Sequence, residues 1–224
     1  MTLPVVPIDE KMTPEVRRFL NAVIREIEAT VESIDDIEVP TKASAAEAVT
    51  GTDDAKFLTP LSGISTVLTY SPFLKFAYYE DQKAANTAGG SASPSGTYNT
   101  RTLNTEVHDS IGCTLSSNEV TVPAGTYYVE ASCPAFRVAN HKARLYNVTN
   151  TAVLAYGTSE YGAVGSGDLV STRSWITTKF TVANSTAIRL EHAVNNPTNT
   201  NDYGRAANQT GSEIYSFIKI WKLD

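Results

Sequence analysis

Between Pro14 and Glu38 the apolar positions fall into two seven-spaced rows, Leu20, Ile27 and Ile34 in one and Val16, Val23, Thr30 and Ile37 in the other. The rows alternate by four and three, which predicts a helix with an a/d seam. Thr13 ahead of Pro14 supplies an N-cap and a proline at the first helical position, and Pro40 bounds the far end. β-Branched residues in both rows favour three or four strands over a Leu-at-d dimer. Leu20, Val23, Ile27 and Ile34 are therefore candidate interface residues. Phe19, Ile24 and Val31 flank the seam and leave open a single amphipathic helix lying on its own domain.

From Phe73 onward helical spacing gives way to alternation, and turn residues divide the chain at sandwich-like intervals. A first strand is expected at 73–80, and others at 98–107, 110–115, 119–123, 126–135, 142–148, 152–157, 170–183, 186–194 and 212–223. After the turn at Pro123 and Gly125, Tyr127, Val129, Ala131 and Cys133 share one face. Residues 170–183 and 186–194 read as neighbouring strands joined by a tight turn at Asn184 and Ser185. The Gly/Ser stretch Asn86 to Thr97 reads as a long loop inside this domain, because a strand at 73–80 needs a sheet to join. In the last strand Ile214, Ile218 and Ile220 lie on one face and Tyr215, Phe217, Trp221 and Leu223 on the other. A sandwich buries only one of these faces, so another subunit or an appended element must cover the second.

The N-terminal residues 1–12, with Leu3, Val5, Val6 and Ile8 between prolines, favour an extended docking peptide, with a frayed tail as the alternative. Four segments follow: 1–12, a helix at 13–39, a connector at 40–71 and a β domain at 72–224. The net charge is −6, with 12 acidic and 6 basic residues in 1–60 and 12 of each thereafter. That distribution argues against nucleic-acid binding, and a neutral surface rich in Thr, Asn, Ser and Tyr suits uncharged polar ligands such as sugars. No segment has signal-peptide or membrane-spanning character, so no membrane insertion is expected. Cys113 and Cys133 are expected as buried free thiols, and the sequons at Asn147, Asn184 and Asn208 as surface loops.

Ala-Val-Thr-Gly-Thr-Asp-Asp-Ala-Lys-Phe-Leu-Thr-Pro-Leu at positions 48–61 resembles a segment of bacteriophage tail fibres. Lys75-Phe-Ala-Tyr, Asn104-x-Glu-Val, Val122-Pro-Ala-Gly-Thr-Tyr-Tyr-Val and an apolar last strand together resemble the trimeric jelly roll of tumour necrosis factor ligands and complement heads. Arg101 to Val107, Pro123 to Tyr127 and Pro134 to Val138 look like the version at the ends of tail fibres. The resemblance implies a mainly β chain, a jelly-roll head preceded by an α-helical trimeric coiled coil. It implies a homotrimer in a virion, made in a bacterial cytoplasm and attached to other virion proteins through Leu3, Val5, Val6 and Ile8. Tyr215, Phe217 and Trp221 would join the trimer interface. The head would bind a host surface glycan or protein, or the fibre would contact only other virion proteins.

Loops 157–169 and 195–211 are long and polar, and Tyr161, Asn199, Asp202, Tyr203 and Arg205 are the candidate receptor-binding residues. No phosphate loop, nucleophile elbow or metal-binding motif occurs, so no catalytic residue, metal or cofactor is expected. His192 alternates with Ile188, Leu190 and Val194 and is expected as a hydrogen-bonded core residue, and His108 in a turn. Glu80 and Asp81 are expected in surface turns, not as a glycosidase pair. Arg137, His141, Lys142 and Arg144 form a basic cluster expected on a solvated strand edge.

Overall fold

The computed structural model describes residues 12–35, 41–50, 63, 64, 67, 71, 74–164, 167, 169–197 and 200–224, with only the backbone at 33–35. The chain divides into two compact units, Met1–Thr66 and Val67–Asp224.

In the first unit α1 (Pro14–Asp35) starts where the cap requires. The Val16 N–H donates to Thr13 Oγ1 at 3.5 Å and the Arg17 N–H to the Thr13 carbonyl at 3.1 Å. Thr30 turns its hydroxyl back to the Glu26 carbonyl, 2.7 Å away. Leu20 and Val23 are half-buried, whereas Val16 and Ile27 are exposed and Phe19 is 70% exposed. α1 thus carries an apolar stripe that is partly open. Ile34 lies in α1 with its side chain outside the described residues, as do Leu3, Val5, Val6 and Ile8 entirely. A second helix, α2 (Ala45–Thr50), carries a capping box: the Ser44 N–H donates to Glu47 Oε2 (2.9 Å) and the Glu47 N–H to Ser44 Oγ (3.3 Å). Residues 51–61 of the fibre-like stretch lie outside the described residues.

The second unit is an antiparallel sandwich. Its strands are β1 (Phe76–Lys83), β2 (Asn99–Thr100), β3 (Thr105–Asp109), β4 (Thr114–Ser116), β5 (Glu119–Val122), β6 (Gly125–Phe136), β7 (Ala139–Asn147), β8 (Ala152–Gly162), β9 (Ser171–Val182), β10 (Thr186–Val194) and β11 (Glu213–Lys222). The first sheet has the order β3-β1-β11-β6-β9 and the second β4-β5-β10-β7-β8, with β2 also on β10. The pairs β1 with β11, β5 with β10, β6 with β9 and β7 with β8 are nested, and successive pairs alternate between sheets. A long hairpin rolled up in this way is a jelly roll.

Several expectations change. The strand expected at 98–107 is two pieces: β2 joins the second sheet and β3 the first, so residues 101–104 cross between them. At 110–113 a turn replaces strand, because Asp109 Oδ1 accepts the N–H groups of Ile111 (2.8 Å) and Gly112 (3.1 Å). The turn after β9 does not close a hairpin: β9 pairs with β6, and β10 with β5 and β7. It carries the chain from one sheet to the other. Asn147 is buried rather than in a loop, and its Oδ1 caps the following turn at the Asn150 N–H, 2.9 Å away. β8 runs on to Gly162 and crosses close to β9. A Cβ on Gly157 would lie 2.5 Å from Ser174 Oγ and 2.9 Å from the Trp175 carbonyl oxygen, so only glycine permits that approach.

The inward faces alternate as the sequence requires. Tyr127, Val129, Ala131 and Cys133 on β6 meet Ile188 and Leu190 on β10, Leu145 on β7, and Ile218 and Ile220 on β11 in one core. Ala92, Ala135, Val138, Val194 and Tyr203 form a second, smaller cluster. Ala92 brings the Gly/Ser stretch into that cluster. The Gly89 N–H donates to the Gly204 carbonyl (2.8 Å) and the Tyr203 N–H to the Gly90 carbonyl (3.0 Å), so this stretch is tied to the loop at 203–204 rather than flexible.

Candidate functional site

Strand directions sort the loops of the sandwich into two ends. Lys75 and the C-terminus share one end, where the Lys75 ammonium donates to the Asp224 carbonyl at 2.6 Å. The loops after β1, β6, β8 and β10 gather at the other, so the predicted loops 157–169 and 195–211 do come together, with 157–162 belonging to β8. Their residues separate on burial. Tyr161 is 59% exposed, and Arg205 is exposed with its guanidinium 5.6 Å from the Phe136 ring centroid.

Tyr203 and Asp202, in contrast, are interior groups. Tyr203 is 6% exposed, its ring lying 4.0 Å under the Arg101 guanidinium and stacked on His192. Asp202 is 1% exposed and accepts the Ala92 N–H at 3.1 Å. Both hold loops in place and present nothing to a ligand. Asn199 lies outside the described residues.

The outer face of the first sheet is aromatic. Trp221 on β11 packs on Phe76 (5.0 Å between centroids) and Tyr128 (5.7 Å), and Phe217 meets Tyr78 (6.1 Å) and Trp175 (6.0 Å) edge-on. Five of these rings are half-exposed and Trp175 is 50% exposed. Lys219 sits among them, 5.4 Å from Tyr78 and from Phe217. Tyr215 points the same way but is covered by its own chain. Its hydroxyl donates to the Thr87 carbonyl (2.6 Å), and a Cβ on Gly204 would lie 2.3 Å from its ring.

The outer face of the second sheet has a different chemistry. Residues 140, 142, 144 and 146 of β7 alternate with the buried His141, Ala143, Leu145 and Asn147 and so point outward. Registers place Tyr161 beside Asn140, Ser159 beside Lys142, and Tyr156 beside Arg144. The Arg144 guanidinium lies 4.0 Å from the Tyr98 ring and 4.8 Å from the Tyr146 ring, and the Lys142 ammonium 5.2 Å from the Tyr156 ring. Glu191, nearly buried, accepts Arg144 Nε at 2.5 Å and Arg189 Nε at 2.8 Å. Arg189 also reaches Glu119 at 3.1 Å. Next to this row an open groove of about 350 Å³ is lined by Asn140, Lys142, Ser159, Ala193 and Asn195, with His141 and Glu160 at its inner wall.

This row was only half legible. The basic cluster was expected on a strand edge, but β7 lies between β10 and β8. Its period-two alternation separates outward Lys142 and Arg144 from inward His141, and that signal was available. His141 is 3% exposed and hydrogen-bonded to His192, itself a core histidine as its alternation required. His108 lies exposed on β3, stacked on Phe76.

The buried thiols and imidazoles are held in their neutral forms. Burial pushes the Cys113 thiol up to about 12 and the Cys133 thiol up to about 11, and both are free and buried as expected. Burial lowers His141 to about 4 and His192 well below its ordinary value, so both are neutral. Glu80 and Asp81 are buried members of β1 rather than turn residues. Tyr78 donates to Glu80 at 2.7 Å, and Lys83 lies 3.2 Å from Asp81. Among the described residues no three His, Cys, Asp or Glu side chains converge as a metal set.

No family model and no curated relative matches the sequence. Among solved structures the chain is similar to the globular domain of the zebrafish complement 1qA protein, at 11% identity over 66% of this chain and 98% of that one, with a TM-score of 0.44. It is also similar to murine APRIL (10% identity, 66% and 98%, TM-score 0.43) and to the Eiger TNF of S. frugiperda (10%, 66% and 92%, 0.42).

Proposed function

We propose that this chain is a non-enzymatic structural fibre protein of a virion. Its C-terminal sandwich assembles as a homotrimer and binds a host surface glycan, while the N-terminal segment joins other virion proteins. The observation that carries the reading is the half-exposed aromatic face on β11. A contiguous patch with Phe76, Tyr78, Tyr128, Phe217 and Trp221 on one sheet of a sandwich is suited to burial against copies of itself. The seam of α1 supports the same assembly as a short coiled coil, and residues 48–61 supply the fibre resemblance. Three heads on one fibre give avidity from weak sites.

Sedimentation equilibrium of the full chain tests the assembly. A trimer that a Phe217→Glu, Trp221→Glu double variant reduces to monomer is the expected result, and a monomeric wild type overturns it. Adsorption of the trimer to host cells tests the binding. A trimer that adsorbs to no host cell and docks only on virion proteins would leave a connector fibre in its place.

A further inference from the structure

We infer that the outer face of the second sheet is a site for a carboxylate-bearing saccharide, with Lys142 and Arg144 taking the carboxylate and the adjoining Tyr98 and Tyr156 rings forming a platform under the sugar ring. This rests on the host-binding reading and names its ligand class and its place. Three observations carry it.

The first is a set of spare cationic donors. The Lys142 ammonium has no hydrogen bond or ion pair among the described residues, and Arg144 uses only Nε, toward Glu191, which leaves its two terminal nitrogens unpartnered. Glu191 fixes the guanidinium from behind, so its free fork is pre-oriented rather than floppy. A planar carboxylate matches that fork, and the ammonium two residues along adds a point charge on the same face. Lys142, Arg144 and Arg189 face Glu191 and Glu119 on this row, an excess of one positive charge. Glu160, whose register partner is His141, lies off the row but lines the adjoining groove with Lys142, so that groove carries one carboxylate and suits the hydroxyls of the sugar, while the sugar's own carboxylate lies toward Arg144.

The second is the aromatic frame. The Tyr98 and Tyr156 rings lie 6.3 Å apart, and Tyr156 is 56% exposed. Phenol rings beside fixed cations offer the C–H faces of a pyranose an apolar surface, and their hydroxyls remain free to bond sugar hydroxyls.

The third is the adjoining groove. Asn140, Asn195 and Ser159 supply amide and hydroxyl groups that both donate and accept, the pairing that sugar hydroxyls require and an aliphatic peptide would not use. The site lies on the sheet opposite the aromatic face, so ligand and self-association do not compete for surface.

The test uses the full chain with three uronate polymers, polygalacturonate, alginate and hyaluronate, against neutral dextran and galactan and against dextran sulfate. At least one uronate is expected to bind about tenfold tighter than the neutral polymers at low salt. Lys142→Gln and Tyr156→Ala are each expected to weaken that binding by about fivefold or more, with oligomeric state and melting temperature unchanged. No preference for any uronate overturns the proposal. So does uronate binding that survives both substitutions. Equal binding of dextran sulfate together with indifference to Tyr156→Ala marks a plain polyanion surface and also overturns it, as would capture of an acidic protein in preference to every uronate. If the trimer adsorbs to host cells and Lys142→Gln leaves adsorption intact, this site fails while the host-binding reading stands. If uronates bind as expected but host cells do not, the reading fails and the site stands.

Discussion

At the end of the sandwich where the chain joins and leaves it, the space between the sheets holds Val120, Val122, Tyr127, Val129, Ile188 and Ile220, all fully buried. At the opposite end the same space holds Arg101, His141, His192 and Tyr203. Arginine can only donate, so it sets the direction of a chain of bonds. Arg101 Nη1 donates to His192 Nδ1 (3.1 Å), His192 Nε2–H then donates to His141 Nδ1 (2.9 Å), and His141 Nε2–H donates to Thr172 Oγ1 (2.6 Å). Arg101 also ties the Pro134 and Tyr203 carbonyls, at 2.9 and 3.1 Å. The apolar end is fixed mainly by shape. The polar end is fixed by proton positions, so it holds long loops in one arrangement and is the end that acid and mutation can disorder.

The largest break in that contrast is expected from Arg101→Ala. The substitution removes the donor that starts the chain, frees two buried carbonyls and takes a cation away from buried Asp81, leaving Lys83 to offset it. The expected loss is about 4 kcal/mol in denaturant unfolding, the range for removing one member of a buried charged network. A loss below about 1 kcal/mol would mean that the guanidinium is incidental to the far end.

Acid comes next. An unfolded histidine ionises near its ordinary value of 6.5, whereas folded His141 is held at about 4 by burial, opposed by Glu160 and helped by Arg101. Between those values the unfolded chain binds the extra proton. Stability is therefore full above pH 6.5 and falls as pH drops toward 4, by about 3 kcal/mol for this one group. His192, shifted in the same direction, adds to the loss. Asp81 opposes it, because burial raises its carboxyl and the folded state takes that proton first. His141→Gln keeps an acceptor for His192 and a donor for Thr172, so the difference between wild type and variant isolates the histidine. Unfolding at pH 7.5 and 4.5 should show a shallower acid loss in the variant, and parallel losses would contradict the neutral chain.

The apolar end could be read from the sequence almost residue by residue, and the polar end could not. Alternation on β6, β10 and β11 names the buried rows directly, since a strand with one face in the core repeats every two residues. His192 was legible for the same reason. Arg101 stands in a crossover with no period, and Tyr203 in an Asn- and Thr-rich loop where pattern says only surface. The available hint was Gly204, whose φ of +136 and approach to Tyr215 mark backbone packed against a ring. The connection after β9 misled because a short turn reads as a hairpin locally, and only long-range pairing decides which sheet receives the next strand. The helix α1 was legible in period and cap, while one chain's contacts do not decide whether it pairs with others.

A smaller effect separates the two ends from the apolar side. Ile218→Val removes one methylene from the fully buried apolar core, at an expected cost of about 1 kcal/mol. That cost should be the same at pH 7.5 and 4.5. A pH-dependent cost would show that the substitution shifts the folded-state titration of the histidines, so that the apolar core and the histidine chain are energetically coupled.

The smallest expected effect bears on Tyr203, whose position in a polar loop suggests a ligand contact. Its hydroxyl makes a long bond of 3.4 Å to the His192 carbonyl, while its ring carries the stacking with Arg101 and His192. Tyr203→Phe keeps the ring and should cost about 0.5 kcal/mol, with the proposed adsorption to host cells unchanged. Tyr203→Ala would empty the slot under Arg101 and lower adsorption through unfolding of the loops, so only the phenylalanine variant separates the two roles. Loss of adsorption with stability intact in Tyr203→Phe would place the hydroxyl at a ligand and require the loop to open in the bound state.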